Sequence, residues 1–257
     1  MPITNISGVY GDRVVGVKGQ SDPSTLRKKF YTLFEDFDND VRHIPKSTSG
    51  SGTAVLQPCR GMVSTNGLPA ALTACTSESV AGGAFAFTPT DVATEGYTLQ
   101  EALVDPDLGD FFVEARLKVE TVETTAAFKF GLCEAVSPDD SLGSDGAASK
   151  DQISMFYDTG STTDGLLEYS VSKNTDITQS GAAGMAGAQM VSDTFCTLAI
   201  ERRAIASEIS FFFNGSKVAT ASDVNISDQL LRLTIAGDKA AMGKITVDYI
   251  YIYASRV

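Results

Sequence analysis

Glu114 and Glu120 are the two residues whose type and spacing come closest to a catalytic pair. Retaining glycosidases need two carboxyl groups about 5 Å apart, one on each side of the scissile bond. Both carboxylates fall on one face of an alternating strand, but Arg116 and Lys118 stand between them on that face. These cations favour the ionised form of both carboxylates, which leaves no general acid. The segment is predicted to be a salt-bridged, solvated or interface face, and no catalytic residue is assigned.

Other reactive arrangements are incomplete. His43 is the only histidine of the chain, and no G-x-S-x-G turn accompanies it. The stretch 237–244 ends in Gly-Lys, but its glycine spacing departs from that of a phosphate-binding loop. One loop could offer oxygen ligands to Ca²⁺, at a spacing that matches no calcium-binding loop: Asp139, Asp140 and Asp145. We therefore expect neither a metal site nor a cofactor, and the sequence predicts that the protein is not an enzyme.

Binding without catalysis stays open. Glycan sites combine an aromatic platform with a few polar groups. Three tyrosines are candidate platforms, namely Tyr97, Tyr157 and Tyr169. The chain has no tryptophan, which makes a glycan site possible but poorly marked in the sequence.

Cysteine spacing indicates no zinc site. Cys133 and Cys196 lie in apolar, strand-like runs, so buried free thiols are predicted there. Cys59 and Cys75 could form a disulfide in an oxidising compartment, and the sequence does not decide whether they do.

Charge divides the chain into two unequal parts. The net charge is −12, yet residues 1–29 carry five basic and two acidic side chains. An acidic body disfavours nucleic acid as a partner, because phosphate binding needs clustered Lys and Arg. No secretory signal and no apolar run of membrane-spanning length is visible. The glycine-punctuated residues 1–29 are predicted to be an extended N-terminal arm, and residues 30–257 a folded domain.

The elements that would position these residues are short strands. Phe111–Val122 alternates apolar and charged residues, and Glu208–Phe213 with Ser216–Ala221 flanks Asn214-Gly215, the signal for a type I′ hairpin. The closing segment also alternates and is predicted to be a central strand. Its alternation would place Ile245, Val247, Tyr249, Tyr251 and Tyr253 on one face, and Thr246, Asp248, Ile250 and Ile252 on the other. About a dozen such strands predict an all-β jelly-roll sandwich.

Read in order, three of these segments resemble the concanavalin A-like jelly-roll superfamily of lectins, laminin-G-like modules and laminarinase-type glycosidases. They are the opening strand with Phe34-Glu-Asp-Phe37, the hairpin Phe211 to Ala219, and the closing Val247-Asp-Tyr-Ile-Tyr-Ile-Tyr253. The resemblance covers residues 30–257. In laminarinase-type enzymes an E-x-D-x-x-E strand supplies the two carboxylates, and the segment from Glu114 to Glu120 departs from that pattern.

The Gly-rich leader and acidic jelly roll also resemble, in style, the capsid decoration or cement proteins of tailed bacteriophages. That resemblance implies a structural subunit of the virion, assembled in the host cytoplasm. Its partners would be the major capsid protein and copies of itself, as a homotrimer or another homo-oligomer. The arm would bind the capsid surface by strand addition. Its candidate contact residues are Arg13, Val14, Val15, Lys18, Arg27, Lys28 and Lys29. The alternative is a glycan-binding module of a phage tail or fibre.

Overall fold

The computed structural model describes residues 30–35, 62–65, 75–77, 84–89, 95–123, 126–134, 151–157, 165–173, 176–179, 184–237 and 240–255. In chain order its strands are β1 Phe30–Glu35, β2 Met62–Thr65, β3 Cys75–Ser77, β4 Phe85–Phe87, β5 Glu95–Val104, β6 Phe111–Val119, β7 Phe128–Cys133, β8 Gln152–Tyr157, β9 Glu168–Lys173, β10 Asp176–Gln179, β11 Cys196–Arg203, β12 Glu208–Phe213, β13 Ser216–Ser222, β14 Leu231–Gly237 and β15 Ile245–Ser255. Short 3₁₀ turns cover Pro106–Leu108, Ala204–Ala206 and Ala240–Met242.

These strands form two antiparallel sheets. The first runs β13-β12-β11-β6-β15-β4-β3, with β1 also paired to β15, and the second runs β10-β9-β8-β7-β14-β5-β2. Both sheets contribute to one apolar cluster, for example Leu117 and Phe211 from the first and Phe130 and Ile235 from the second. Each fully buried side chain of this size contributes roughly 1.5–3 kcal/mol. The prediction of an all-β jelly-roll sandwich is confirmed.

The closing strand β15 lies inside its sheet, as predicted. It pairs with β6 on one side and with β4 and β1 on the other. Buried pairing on both edges explains why this segment is rich in Ile, Val and Tyr.

The predicted division of β15 into two faces is wrong beyond Val247. The register against β6 shifts between Val247 and Tyr249, so Asp248 is an extra residue in the strand. A bulge of this kind reverses the alternation, because two residues oppose one on the partner strand. The core face therefore continues through Ile250 and Ile252, which are fully buried. The strand's three tyrosines lie on the opposite, outer face.

The predicted hairpin is confirmed. Asn214 and Gly215 have φ angles of 46° and 83°, as a type I′ turn requires. The Asn214 side chain adds a tertiary contact, because its Oδ1 accepts a hydrogen bond of 2.8 Å from the backbone N–H of Thr197 in β11.

Other sequence predictions divide between confirmed and untested. Cys133 and Cys196 are buried free thiols, as expected. Residues 184–190 pack on the sandwich, with Met185 and Met190 buried in its core. The leader of residues 1–29, Cys59 and the side chain of Cys75 lie outside the described residues, so the boundary at residue 30 stays a prediction.

No helix among the described residues is long and apolar enough to cross a membrane.

Candidate functional site

The carboxylates singled out in the sequence do not form a pair. Glu114 lies in the middle of β6, is buried, and accepts a hydrogen bond of 2.9 Å from the Tyr249 hydroxyl. Glu120 follows the end of β6 and accepts a hydrogen bond of 2.9 Å from the backbone N–H of Lys244. Six residues of extended chain separate their backbones by about 20 Å. Their hydrogen-bond partners, Tyr249 and Lys244, lie five residues apart in the chain, so the two carboxylates are held at different points of the sheet.

The cations between these carboxylates are paired elsewhere. Arg116 forms an ion pair with Asp248, the extra residue of the bulge, and Lys118 forms one with Asp193. Both cations also lie over the Phe195 ring, with the Arg116 Cζ atom 4.4 Å and the Lys118 Nζ atom 5.4 Å from its centroid. The predicted salt-bridged face is therefore present, with partners from β15 and the 191–195 segment.

The outer face of the first sheet carries a cluster that we call the tyrosine face. Its members come from β6, β12 and β15, namely Phe112, Glu114, Arg116, Phe212, Tyr249, Tyr251 and Tyr253. Phe112 and Tyr251 are buried, with ring centroids 5.9 Å apart. Tyr249, Tyr253 and Phe212 are half-buried. Burial raises the pKa of Tyr251 and Tyr253, so both hydroxyls stay protonated at neutral pH and can donate hydrogen bonds.

The outer face of the second sheet is polar and buried, and we call it the serine face. It consists of Lys129, Gln152, Ser154, Ser170 and Ser172. The Lys129 ammonium and the Ser154 hydroxyl both donate to Gln152 Oε1, and Gln152 Nε2 donates to Ser170 Oγ at 3.4 Å. Burial lowers the pKa of Lys129. Sequence reasoning missed this face, although the alternation of polar with apolar residues in β8 and β9 was a signal for it.

One end of the sandwich exposes large apolar side chains, and we call it the apolar tip. Its members and their exposed fractions are Leu108 49%, Ile205 100%, Val224 75% and Leu230 54%. They sit on the segments after β5, β11 and β13 and before β14. The sequence contained one signal for this tip, since large apolar residues stand among the polar residues of these connecting segments.

Arg202 ties three of these segments together. Its guanidinium donates to the carbonyls of Pro106 and Gly109 at 2.5 and 3.0 Å, and to Asp223 Oδ2 at 3.0 and 3.2 Å. The turn Ala204–Ala206 is held by Asp110 Oδ1, which accepts from the backbone N–H of Ala204 at 2.8 Å. These bonds place Leu108, Ile205 and Val224 around one buried ion pair.

Two of the three tyrosines predicted as sugar platforms, Tyr157 and Tyr169, pack against the core instead. Tyr157 is fully buried and stacks on Phe128 at 5.7 Å, and Tyr169 stacks on Phe211 at 4.7 Å against the core. The side chain of Tyr97 lies outside the described residues, as do His43, the acidic loop with Asp139, Asp140 and Asp145, and the seven candidate residues of the leader. Within the described ranges, no three His, Cys, Asp or Glu side chains are grouped closely enough to hold a metal ion.

Comparison with solved structures shows the fold. The chain is similar to a protein of unknown function from Shewanella oneidensis MR-1, with a TM-score of 0.54 and 12% identity over 92% of this chain and 95% of that one. It is also similar to a Bacillus licheniformis β-glucanase, with a TM-score of 0.52 and 11% identity over 88% and 98%. A β-1,3-1,4-glucanase from a mouse hindgut metagenome gives 0.51 and 12% over 86% and 98%. The fold is a concanavalin A-like jelly roll. No protein-family model and no curated protein matches the chain.

Proposed function

We propose that this protein is a non-enzymatic binding module that recognises a glycan with its tyrosine face. One observation carries the proposal: half-buried Tyr249 and Tyr253 border the buried Glu114 on the outer face of a concanavalin A-like sheet. Sugar sites pair apolar aromatic surface with a few fixed polar groups. The two structurally similar glucanases act on polysaccharides, which makes β-glucans the first ligands to test.

The polar groups of this face are held in place before any ligand arrives. Tyr249 fixes the Glu114 carboxylate, and Asp248 fixes the Arg116 guanidinium. The Arg116 side chain is 40% exposed, so its guanidinium can donate to sugar hydroxyls, while the buried Glu114 serves to hold Tyr249 in place. Preorganised groups lose little conformational entropy on binding.

The residues of the described strands support binding rather than hydrolysis. Glu114 and Glu120 are held at different points of the first sheet, with Arg116 and Lys118 between them in the strand. Strand β8 has the 1-3-6 spacing of the E-x-D-x-x-E motif, but it carries Gln152 and Ser154 on its outer face and Tyr157 in the core, and none of these is a carboxylate. Neither an amide nor a serine hydroxyl can serve as the general acid of glycoside hydrolysis at neutral pH.

Isothermal titration calorimetry with laminarin, lichenan and their oligosaccharides tests the proposal. We expect Tyr253→Ala to weaken binding about tenfold, since losing one aromatic contact of roughly 1.4 kcal/mol is a factor of ten. The matched control is Ile205→Ser, which removes an exposed side chain at the apolar tip. Equal affinity of wild type and Tyr253→Ala would refute the site, and no binding across a glycan array would refute the function. Release of reducing sugar that is lost in Glu114→Gln would show an enzyme instead.

A second candidate is a capsid decoration subunit of a bacteriophage, and the apolar tip favours it because exposed apolar clusters mark protein contacts. In this proposal the sandwich assembles as a homo-oligomer on the major capsid protein. The leader of residues 1–29 grips the particle, and Arg13, Lys18 and Arg27–Lys29 meet its surface. Deleting residues 1–29 should leave the circular dichroism spectrum unchanged and abolish co-sedimentation with particles. Full occupancy of particles by the deletion variant would contradict this assignment.

A further inference from the structure

We infer that the apolar tip is a docking site for another protein, one that presents an apolar patch bordered by lysine or arginine. The inference does not depend on what the tyrosine face binds. It identifies a surface on the sandwich itself, separate from the predicted leader of residues 1–29.

The exposure of the tip is the first argument. Single exposed apolar residues are normal on protein surfaces, but a cluster of them marks an interaction site. Ile205 is fully exposed and Val224 is 75% exposed, on neighbouring turns. The backbone links these turns directly, because the Asp223 N–H donates to the Ser207 carbonyl at 3.3 Å. Leu230 belongs to the same end of the sandwich, since the next residue, Leu231, pairs with Val104 at the end of β5.

Rigidity is the second argument. The Arg202 and Asp223 side chains are 7% and 12% exposed, so their ion pair is largely removed from water. Ser207 adopts the left-handed conformation with φ 49°, which closes the turn that carries Ile205. Strain and buried charge around an exposed apolar cluster keep it presented to solvent and prevent it from collapsing onto the core. A preorganised surface of this kind loses little entropy when a partner binds.

Charge identifies the occupant. The segments 105–110, 202–208 and 222–230 contain six acidic residues and two arginines, a net charge of −4. Two nearby lysines, Lys173 and Lys217, pair with acids of these segments and still leave the region negative. A second copy that docked tip to tip would bring negative charges together, and an anionic membrane would repel the acidic residues of these segments. A protein with basic residues around an apolar patch would cover the exposed apolar side chains and pair its positive charges with the acidic residues.

A pair of labelled peptides tests this. One is an amphipathic helix of leucine and lysine, the other the same helix with glutamate in place of lysine, and fluorescence anisotropy measures their binding to the full chain. We expect the lysine peptide to bind and the glutamate peptide to fail. Ile205→Ser combined with Val224→Ser should weaken binding of the lysine peptide at least about tenfold, since a few truncated anchor side chains remove most of the binding energy of an interface. Neither substitution changes the charge.

Val191→Ser is the matched control. Val191 is 59% exposed and lies at the opposite end of the sandwich, where Asp193 bonds to Val119 at the end of β6. It should leave affinity within twofold of wild type. Equal weakening by Val191→Ser, or unchanged affinity of the double variant, would overturn the tip as a docking site.

A dimer in light scattering that Ile205→Ser dissociates would assign the tip to a second copy. Co-sedimentation with phosphatidylcholine–phosphatidylserine vesicles, lost in the double variant, would assign it to a membrane. Retained β-glucan binding by the double variant would separate this test from that of the tyrosine face.

Discussion

Replacing Arg202 with methionine should destabilise the protein and disorganise the apolar tip together. Methionine keeps much of the apolar stem of the side chain but removes the guanidinium. The change leaves the Asp223 carboxylate, which is 12% exposed, without its cation. It also removes the donor to the carbonyls of Pro106 and Gly109.

The magnitude follows from burial. Removing one partner of a buried ion pair costs roughly 3–5 kcal/mol, because the other charge stays desolvated. For a protein of this size each kcal/mol lowers Tm by about 2–4 °C, so a decrease of roughly 6–20 °C is expected. Asp223→Leu added to Arg202→Met should recover part of the loss, since the unpaired carboxylate is then gone.

Urea denaturation followed by circular dichroism measures the change, and the lysine peptide measures the tip. Lys217→Met is the control, because it also replaces a cation with methionine, in an ion pair with Glu208 whose two side chains are 46% and 37% exposed. An exposed pair contributes about 0–1 kcal/mol. Equal unfolding of Arg202→Met and Lys217→Met at one urea concentration, or a double variant as unstable as the sum of its parts, would refute this explanation.

Three further outcomes are expected. Gly131→Ala should abolish soluble folding, because its Cβ would lie 2.3 Å from the carbonyl oxygen of Ile153 in the paired strand, and a wild-type Tm would contradict that contact. Burial raises the pKa of Cys196 from 9.0 to about 12, so iodoacetamide at pH 8 should label this thiol only in urea. For the same reason the free energy of unfolding should fall as the pH rises from 9 toward 12. Peptide mass spectrometry that finds Cys196 labelled in the native protein would refute its burial. The Lys173 ammonium lowers the pKa of Asp228 below 3.8, so this ion pair stabilises the fold above pH 3.8 and its contribution is lost on further acidification. Lys173→Met should remove this pH-dependent contribution from the free energy of unfolding. A pH profile of stability that Lys173→Met leaves unchanged in low salt would show that the pair contributes nothing.

Strands were predictable where their alternation is local. The strand predicted over Phe111–Val122 is present but ends at Val119, and the hairpin around Asn214-Gly215 appears as the sequence indicated. Both patterns depend only on neighbouring residues, because a half-buried strand needs period two and a type I′ turn needs two positive φ angles.

The tyrosine face was not predictable in the same way. Whether Tyr249, Tyr251 and Tyr253 face the core depends on one extra residue, Asp248, and the sequence of β15 alone does not mark it. The bulge appears only when β15 pairs with β6, where Asp248 meets the guanidinium of Arg116.

The amino-acid sequence by itself determined the sandwich, its closing central strand and the separation of Glu114 from Glu120, because alternation and spacing along one chain carry that information. Only the tertiary structure decided the tyrosine face, the serine face and the apolar tip. Each of these joins residues from distant strands or turns, for example Pro106, Arg202 and Asp223. Their meeting depends on strand order and register, which long-range pairing sets and short-range patterns do not encode.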